Sequence, residues 1–232
     1  MPEQIRERLE LVREQIARAA ERAGRSANEI TLIAVSKTFD SETVQQAVTA
    51  GAQDLGENRV QEAVSKAPLV TGNVRWHLIG NLQSNKARSA VTTFDVIHTI
   101  DRSDLVWRLD RIAGELGRHP RVLVQVDLSH EPTKSGADEA DLPAIIEALD
   151  AAQHLQWIGL MTLPPFFDSP EQTRPYFQRL REIRDQLNQS RSGSRNVTEL
   201  SMGMSHDFEV AIEEGATMVR VGTAIFGSRS KQ

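Results

Sequence analysis

The sequence predicts an α/β protein: a single (β/α)8 barrel of the TIM type, preceded by one additional N-terminal helix. Three observations lead there. Short apolar runs alternate with amphipathic segments about eight times along the chain. The runs are continuously apolar, as in parallel strands buried on both faces. No shift in composition and no linker divides the 232 residues, so 1–232 is expected to form one domain. An open doubly wound sheet is the rival architecture. It is weaker, because no G-x-G-x-x-G follows the first strand and the alternation continues to eight.

The elements follow in order. Ile5, Leu9, Val12, Ile16 and Ala20 recur every three to four residues, which predicts an amphipathic helix closed at Gly24. Residues 30–36 form the first strand and run directly into Lys37. Asp40 or Ser41 caps the next helix, which carries Val44 and Val48 and stops at Gly51. Residues 54–58 read as a very short second strand, followed by a helix with Val60, Ala63 and Val64 on its apolar face. Strands are expected at 75–80, 95–100, 121–128 and 155–161. The helices between and after them fall at 84–91, at Leu105 to Leu116, at 139–150 and at 171–187. A polar loop at 189–196 leads to strands at 199–203 and 218–222, separated by a helix at 208–212.

Composition narrows the function classes. A net charge of -5 argues against nucleic acid as the main partner. The chain has no cysteine, which excludes disulfides and thiol catalysis and fits a reducing compartment. The charged N-terminus lacks an apolar signal core and no run is long enough to span a bilayer, so the cytoplasm is the expected location. No group of His, Asp and Glu has metal-ligand spacing, and no metal site is expected. His77 and His98 lie inside apolar strands and read as satisfied core or rim histidines.

In barrels of this kind the site lies at the C-terminal ends of the strands, with phosphate held after strands seven and eight. Those ends carry Lys37, Asn58, Gly80-Asn81, Met161-Thr162, Ser201-Met-Gly-Met204 and Arg220-Val-Gly-Thr223. Ser201 and Thr223 offer hydroxyl donors, and Gly203 and Gly222 let backbone N–H groups come close to an anion. The helix beginning at Ser205-His206-Asp207 points its positive end the same way. An amine on one side of the mouth and a phosphate grip on the far side describe a pyridoxal phosphate (PLP) site. Arg220 would then face the ring nitrogen and leave it unprotonated, and Asn58 would bond the ring's O3′ or set its tilt. Each residue also has an ordinary reading: a surface lysine, turn glycines, an arginine paired with a carboxylate. A generic phosphate-binding barrel would present a similar set. Met161, Met202 and Met204 read as packing residues, and Lys134 as a solvated loop charge with a minority role at the mouth.

Six blocks make the resemblance specific: Ile33-Ala-Val-Ser-Lys37, Gly56-Glu-Asn-Arg-Val-Gln-Glu-Ala63, Trp76-His-Leu-Ile-Gly-Asn-Leu-Gln-Ser-Asn-Lys86, Gly159-Leu-Met161, Leu200-Ser-Met-Gly-Met-Ser-His-Asp207 and Val219-Arg-Val-Gly-Thr-Ala-Ile-Phe-Gly227. Together they span nearly the whole chain and closely resemble the pyridoxal phosphate homeostasis protein family. The resemblance implies a barrel similar to the N-terminal domain of alanine racemase, with PLP bound covalently at Lys37. It implies phosphate on Ser201, Gly222 and Thr223, Arg220 at the ring nitrogen, and contacts from Asn58 and Met202. It further implies a monomer that buffers PLP or delivers it to apo-enzymes, without established catalysis.

Two other functions stay open at this level. A PLP-dependent racemase needs a second acid or base on the other face of the ring; in alanine racemase this is a tyrosine from an added domain. The chain ends soon after strand eight, so that domain is expected to be absent. Its only tyrosine, Tyr176, falls in the sixth helix of the barrel series, on the outer wall. An aldolase-type lysine in a phosphate-binding barrel is the alternative without PLP.

Overall fold

The computed structural model describes residues 2–129, 135–191 and 196–227. Eight strands close into an all-parallel barrel in sequential order, β1 pairing with β8. They are β1 (Thr31–Val35), β2 (Asp54–Glu57), β3 (Arg75–Leu78), β4 (Val96–Ile100), β5 (Arg121–Gln125), β6 (Gln156–Met161), β7 (Glu199–Met204) and β8 (Met218–Val221). The helices are α1 (Pro2–Arg22), α2 (Ser41–Thr49), α3 (Val60–Lys66), α4 (Ala87–Thr93), α5 (Ser103–Leu116), α6 (Leu142–Ala151), α7 (Arg174–Gln189), α8 (Phe208–Glu213) and α9 (Thr223–Phe226).

The extra N-terminal helix has a structural task. Among the described residues only the four-residue α9 follows β8, too short to cover the seam between β8 and β1. The α1 helix lies over that seam, packed against α8, α9 and α2. Ile5, Leu9, Val12 and Ile16 form its buried stripe. Arg22 at its last turn reaches Glu209 and Glu213 on α8.

Several boundaries moved for local reasons. Strand five was expected to reach 128, but the ladder ends at Gln125. Val126 instead bridges Ala137, so the chain turns back over the mouth. The helices expected at 84, 139 and 171 each open with a 3-10 turn before the α-helix starts. In α6 and α7 a proline sits in the first turn, where its missing N–H costs nothing. The turn at Ala27–Glu29 was not anticipated, although Ser26 and Glu29 form a capping box around it. On α3 the apolar assignment of Val64 is corrected: it is exposed, and Lys66 is buried instead. Lys134 and residues 192–195 of the polar loop lie outside the described residues.

Two separate cores result. The larger lies between strands and helices and is apolar throughout, with Leu55, Phe94, Ile97, Leu109 and Phe177 fully enclosed. The smaller fills the barrel itself with Ile33, Val96, Leu123, Met161 and Met218. It shares that space with buried Asp54, His77, His98, Ser201 and Arg220. Among the described residues no helix is long and apolar enough to cross a membrane, and no cluster of three His, Asp or Glu groups could hold a metal.

Candidate functional site at the C-terminal mouth

Alternation along β1 sends Ile33 into the barrel and gives Val35 the same side, and Lys37 follows two residues beyond the strand's end, at the mouth. Lys37 is half-buried and lies in the turn that ends the strand. The backbone on both sides of it is fixed. Ser36 N–H donates to Gly56 O at 3.0 Å, and the Ser36 hydroxyl donates to Glu57 Oε1 at 2.7 Å. Lys66 Nζ donates to Ser36 O at 2.9 Å and to Glu57 Oε1 at 2.8 Å. After the lysine, Thr38 adopts φ 70°, a left-handed conformation costly for a β-branched residue. Its N–H is held by Glu62 Oε2 at 2.8 Å. Burial pushes the Glu57 carboxyl upward, against the opposing pull of Lys66 and Ser36. Phe39 then stacks on Phe226, ring centroids 5.0 Å apart, tying this turn to α9.

Because the barrel closes, β8 lies directly beside β1, so the Gly222-Thr223 turn is next to the lysine strand. A Cβ on Gly222 would meet Val35 O at 3.4 Å. The turn expected to hold a phosphate on the far side of the mouth is therefore corrected in place: Gly222 and Thr223 adjoin the strand that leads to Lys37. Gly222 N–H donates to Ser205 Oγ at 3.1 Å, which joins the loops after β7 and β8. Gly222 caps the turn beginning at Thr223, whose first N–H groups have no partner within the helix.

The β7 candidates are redistributed. Ser201 is completely buried, and its hydroxyl faces the barrel interior, accepting from Arg220 Nη1 at 2.6 Å. Its side chain is thus committed away from the mouth; Ser205, four residues on, is the hydroxyl that emerges there. Met202 points outward into the apolar shell. Gly203 serves packing: at φ 89° a Cβ would fall 2.6 Å from Ala211 and 2.9 Å from Phe208 Cα. It sits in a bulge where three residues of β7 span two of β8, which turns Met204 and Ser205 toward the opening.

Arg220 is buried, its Nη2 donating to Thr162 O at 2.9 Å. Burial lowers its pKa to about 10, partly offset by Asp207, so it remains a cation at neutral pH. Asn58 follows β2 directly and borders a cavity of about 330 Å³ with Arg59, Asn81, Gln83 and Lys86. A Cβ on Gly80 would fall 2.2 Å from Asn58 O, so Gly80 lets β3 pass close behind that residue. A larger cavity of about 680 Å³ beside Ser41, Gln45 and Thr49 of α2 contains none of these residues.

Sequence reasoning found the strand ends but missed the clamp of Ser36, Glu57, Glu62 and Lys66. The signal was present: Glu62 and Lys66 are spaced i, i+4 on one short helix, the lysine replacing an apolar residue at a core position.

Residues 8–230 match the family described as alanine racemase, N-terminal domain. The chain is 42% identical over 224 residues to the pyridoxal phosphate homeostasis protein of Aquifex aeolicus, covering 96% of this chain and 97% of that one. It belongs to the pyridoxal phosphate homeostasis protein family. Solved structures agree with that membership. PipY of Synechococcus elongatus without PLP superposes with a TM-score of 0.87 at 44% identity, covering 96% of this chain and all of PipY. The PLP-bound form of PipY gives 0.85 at 42% identity, with the same coverage. The homeostasis-family blocks identified in the sequence are thus carried on the same barrel as in PipY.

Proposed function

We propose that this family member is a PLP carrier: one barrel domain spanning 1–232 that holds the cofactor as a Schiff base on Lys37 and buffers or delivers it. The observation that carries this reading is the juxtaposition of a backbone-clamped lysine turn with the Ser205–Gly222–Thr223 loops on the adjoining strand end. The donor set suits the cofactor. An amine adjoins hydroxyl and backbone N–H donors for a phosphate, and a buried cation lies on the barrel side. PLP bound there supplies an electrophilic aldehyde carbon for the amine; everything else is done by this chain's side chains.

In this reading Ser205, Gly222 and Thr223 take the phosphate. Ser201 holds Arg220, which faces the ring nitrogen. Asn58 lies at the ring's edge, and Met202 contributes packing from behind. The Glu57–Lys66–Glu62 clamp keeps the lysine backbone from retreating. The relative solved with PLP bound supports the assignment. Tyr176, the only tyrosine, is on α7, outside the ring of strands, which favours carrying over racemisation. We further propose a cytoplasmic monomer that hands PLP to apo-enzymes.

Purified protein should be yellow, lose that colour with borohydride, and carry the reduced adduct on the peptide containing Lys37. Lys37→Ala should abolish the trapped adduct. Retention of the wild-type chromophore and affinity by that variant would overturn the assignment. Interconversion of L- and D-amino acids by the loaded protein would replace the carrier with a racemase.

A further inference from the structure

A continuous line of hydrogen bonds crosses the barrel interior from one end to the other. At the N-terminal end Arg75 grips Asp54 with two bonds, Nε to Oδ1 at 2.7 Å and Nη2 to Oδ2 at 2.8 Å. Asp54 Oδ1 meets His77 Nε2 at 2.8 Å, His77 Nδ1 meets His98 Nε2 at 2.9 Å, and His98 Nδ1 meets Ser201 Oγ at 2.9 Å. The Ser201 hydroxyl then receives Arg220. Five strands contribute, and every residue from Asp54 to Arg220 is buried. Two links stand where the ladders slip: β4 shifts register between Ile97 and Ile100, around His98, and β7 shifts after Ser201. Such bulges re-aim a side chain, here across the lumen. Asp54 and Arg75 also line a cavity of about 420 Å³ at the opposite opening.

Donor and acceptor chemistry gives the line one direction. The Asp54 carboxyl is opposed by burial, yet bonds from His77 and Arg75 hold it below its ordinary pKa, so it only accepts. His77 must therefore carry its proton on Nε2. Burial holds both imidazoles neutral, which leaves His77 Nδ1 as an acceptor and puts the His98 proton on Nε2. His98 Nδ1 is then an acceptor in turn, so the Ser201 hydroxyl donates to it. That leaves the Ser201 oxygen free to accept from Arg220. Each link is satisfied and none can be reversed alone. The charged groups acting on the two rings are Asp54, Arg75, Arg121 and Arg220.

We propose that Asp54, acting through His77, His98 and Ser201, is the positioning residue that fixes the Arg220 guanidinium at the floor of the mouth. A carboxylate at the far opening thereby sets where the cation meets a bound ring. Only that last clause rests on the proposed function; the direction of the line does not.

The test is nitrogen-15 NMR of histidine-labelled protein without cofactor. Wild type should show His77 and His98 as neutral rings protonated on Nε2 at about pH 7.5, above the ordinary histidine pKa. Asp54→Asn should shift the ring nitrogens of both histidines together. A His98 protonated on Nδ1, or a change confined to His77, would overturn the inference. Should Asp54→Asn fail to fold, Ser201→Ala tests the other end, and Ser201→Thr restores the hydroxyl. With PLP added, Ser201→Ala should move the visible band and weaken binding about tenfold, as expected for losing one bond to a charged group. Ser201→Thr should recover both. Equal spectra and affinities for Ser201→Ala and wild type would overturn it as well. A wild-type protein that takes up no PLP would defeat the proposed function and leave the NMR result to decide the inference.

Discussion

The space between strands and helices is apolar throughout, whereas the space inside the strands pairs an apolar layer with a buried polar line. The outer shell is held by aliphatic and aromatic side chains such as Leu55, Phe94, Leu109 and Phe177, whose contribution depends on area and fit. The inner space contains an anion, two imidazoles, a hydroxyl and a guanidinium joined in line. Apolar packing is tolerant in detail, since many shapes fill a volume. A buried polar line is intolerant, because each proton must have one place. The shell thus supplies stability, while the interior and the Lys37 clamp supply position.

The sharpest way to break that contrast is a cavity in the shell. Phe177→Ala should cost about 3–5 kcal/mol in urea unfolding, yet leave PLP affinity per folded molecule unchanged. A parallel loss of affinity would show that the two regions are coupled. Next comes the clamp. Lys66→Met leaves Glu57 buried without its cation, at a cost of about 3 kcal/mol, and should also slow formation of the borohydride-trapped adduct by releasing Ser36. Phe177→Ala should not slow that step, so comparing the two adduct rates checks the division of labour.

A smaller effect separates the regions by pH. Burial depresses the folded-state pKa of both His77 and His98, so the unfolded chain takes up protons below about pH 6.5 that the native state refuses. Stability is complete above that pH and falls as pH drops toward the folded-state values. His98→Gln should flatten this slope by about 1 kcal/mol per pH unit between pH 5 and 6, measured by denaturant midpoints at each pH. Asp54 acts in the same direction at lower pH, since its folded pKa is depressed: its contribution is present above about 3.9 and lost below. The smallest change is expected at Val64, which periodicity assigns to the shell but which is exposed. Val64→Ser should alter stability by less than about 0.5 kcal/mol.

Much of the shell was legible because its rule is periodic. The stripe on α1 and the apolar runs at β1, β4, β5 and β6 reveal themselves over a few consecutive residues. Element ends were less legible, since Val126 leaves its ladder for Ala137, a partner eleven residues away. At the mouth, Lys37, Asn58, Gly222 and Thr223 could be picked out as strand ends. Ser201 and Ser205 could not be told apart, because a single bulge at Gly203 decides which hydroxyl faces inward and which emerges. The buried line was invisible for the same kind of reason. Asp54, His77, His98 and Ser201 come from four strands, and nothing in any one segment says that they meet.

The order of strands and helices, the barrel they imply and the lysine that ends the first strand are written in the chain itself, because hydrophobic period and turn chemistry act locally. Closure is different. It brought β8 against β1, set the Ser205 and Gly222-Thr223 loops beside the Lys37 turn, and let α1 cover the seam that α9 is too short to fill. It also aligned six polar side chains through the lumen. Those contacts depend on register and bulges between segments up to a whole chain apart, and only the folded geometry fixes them.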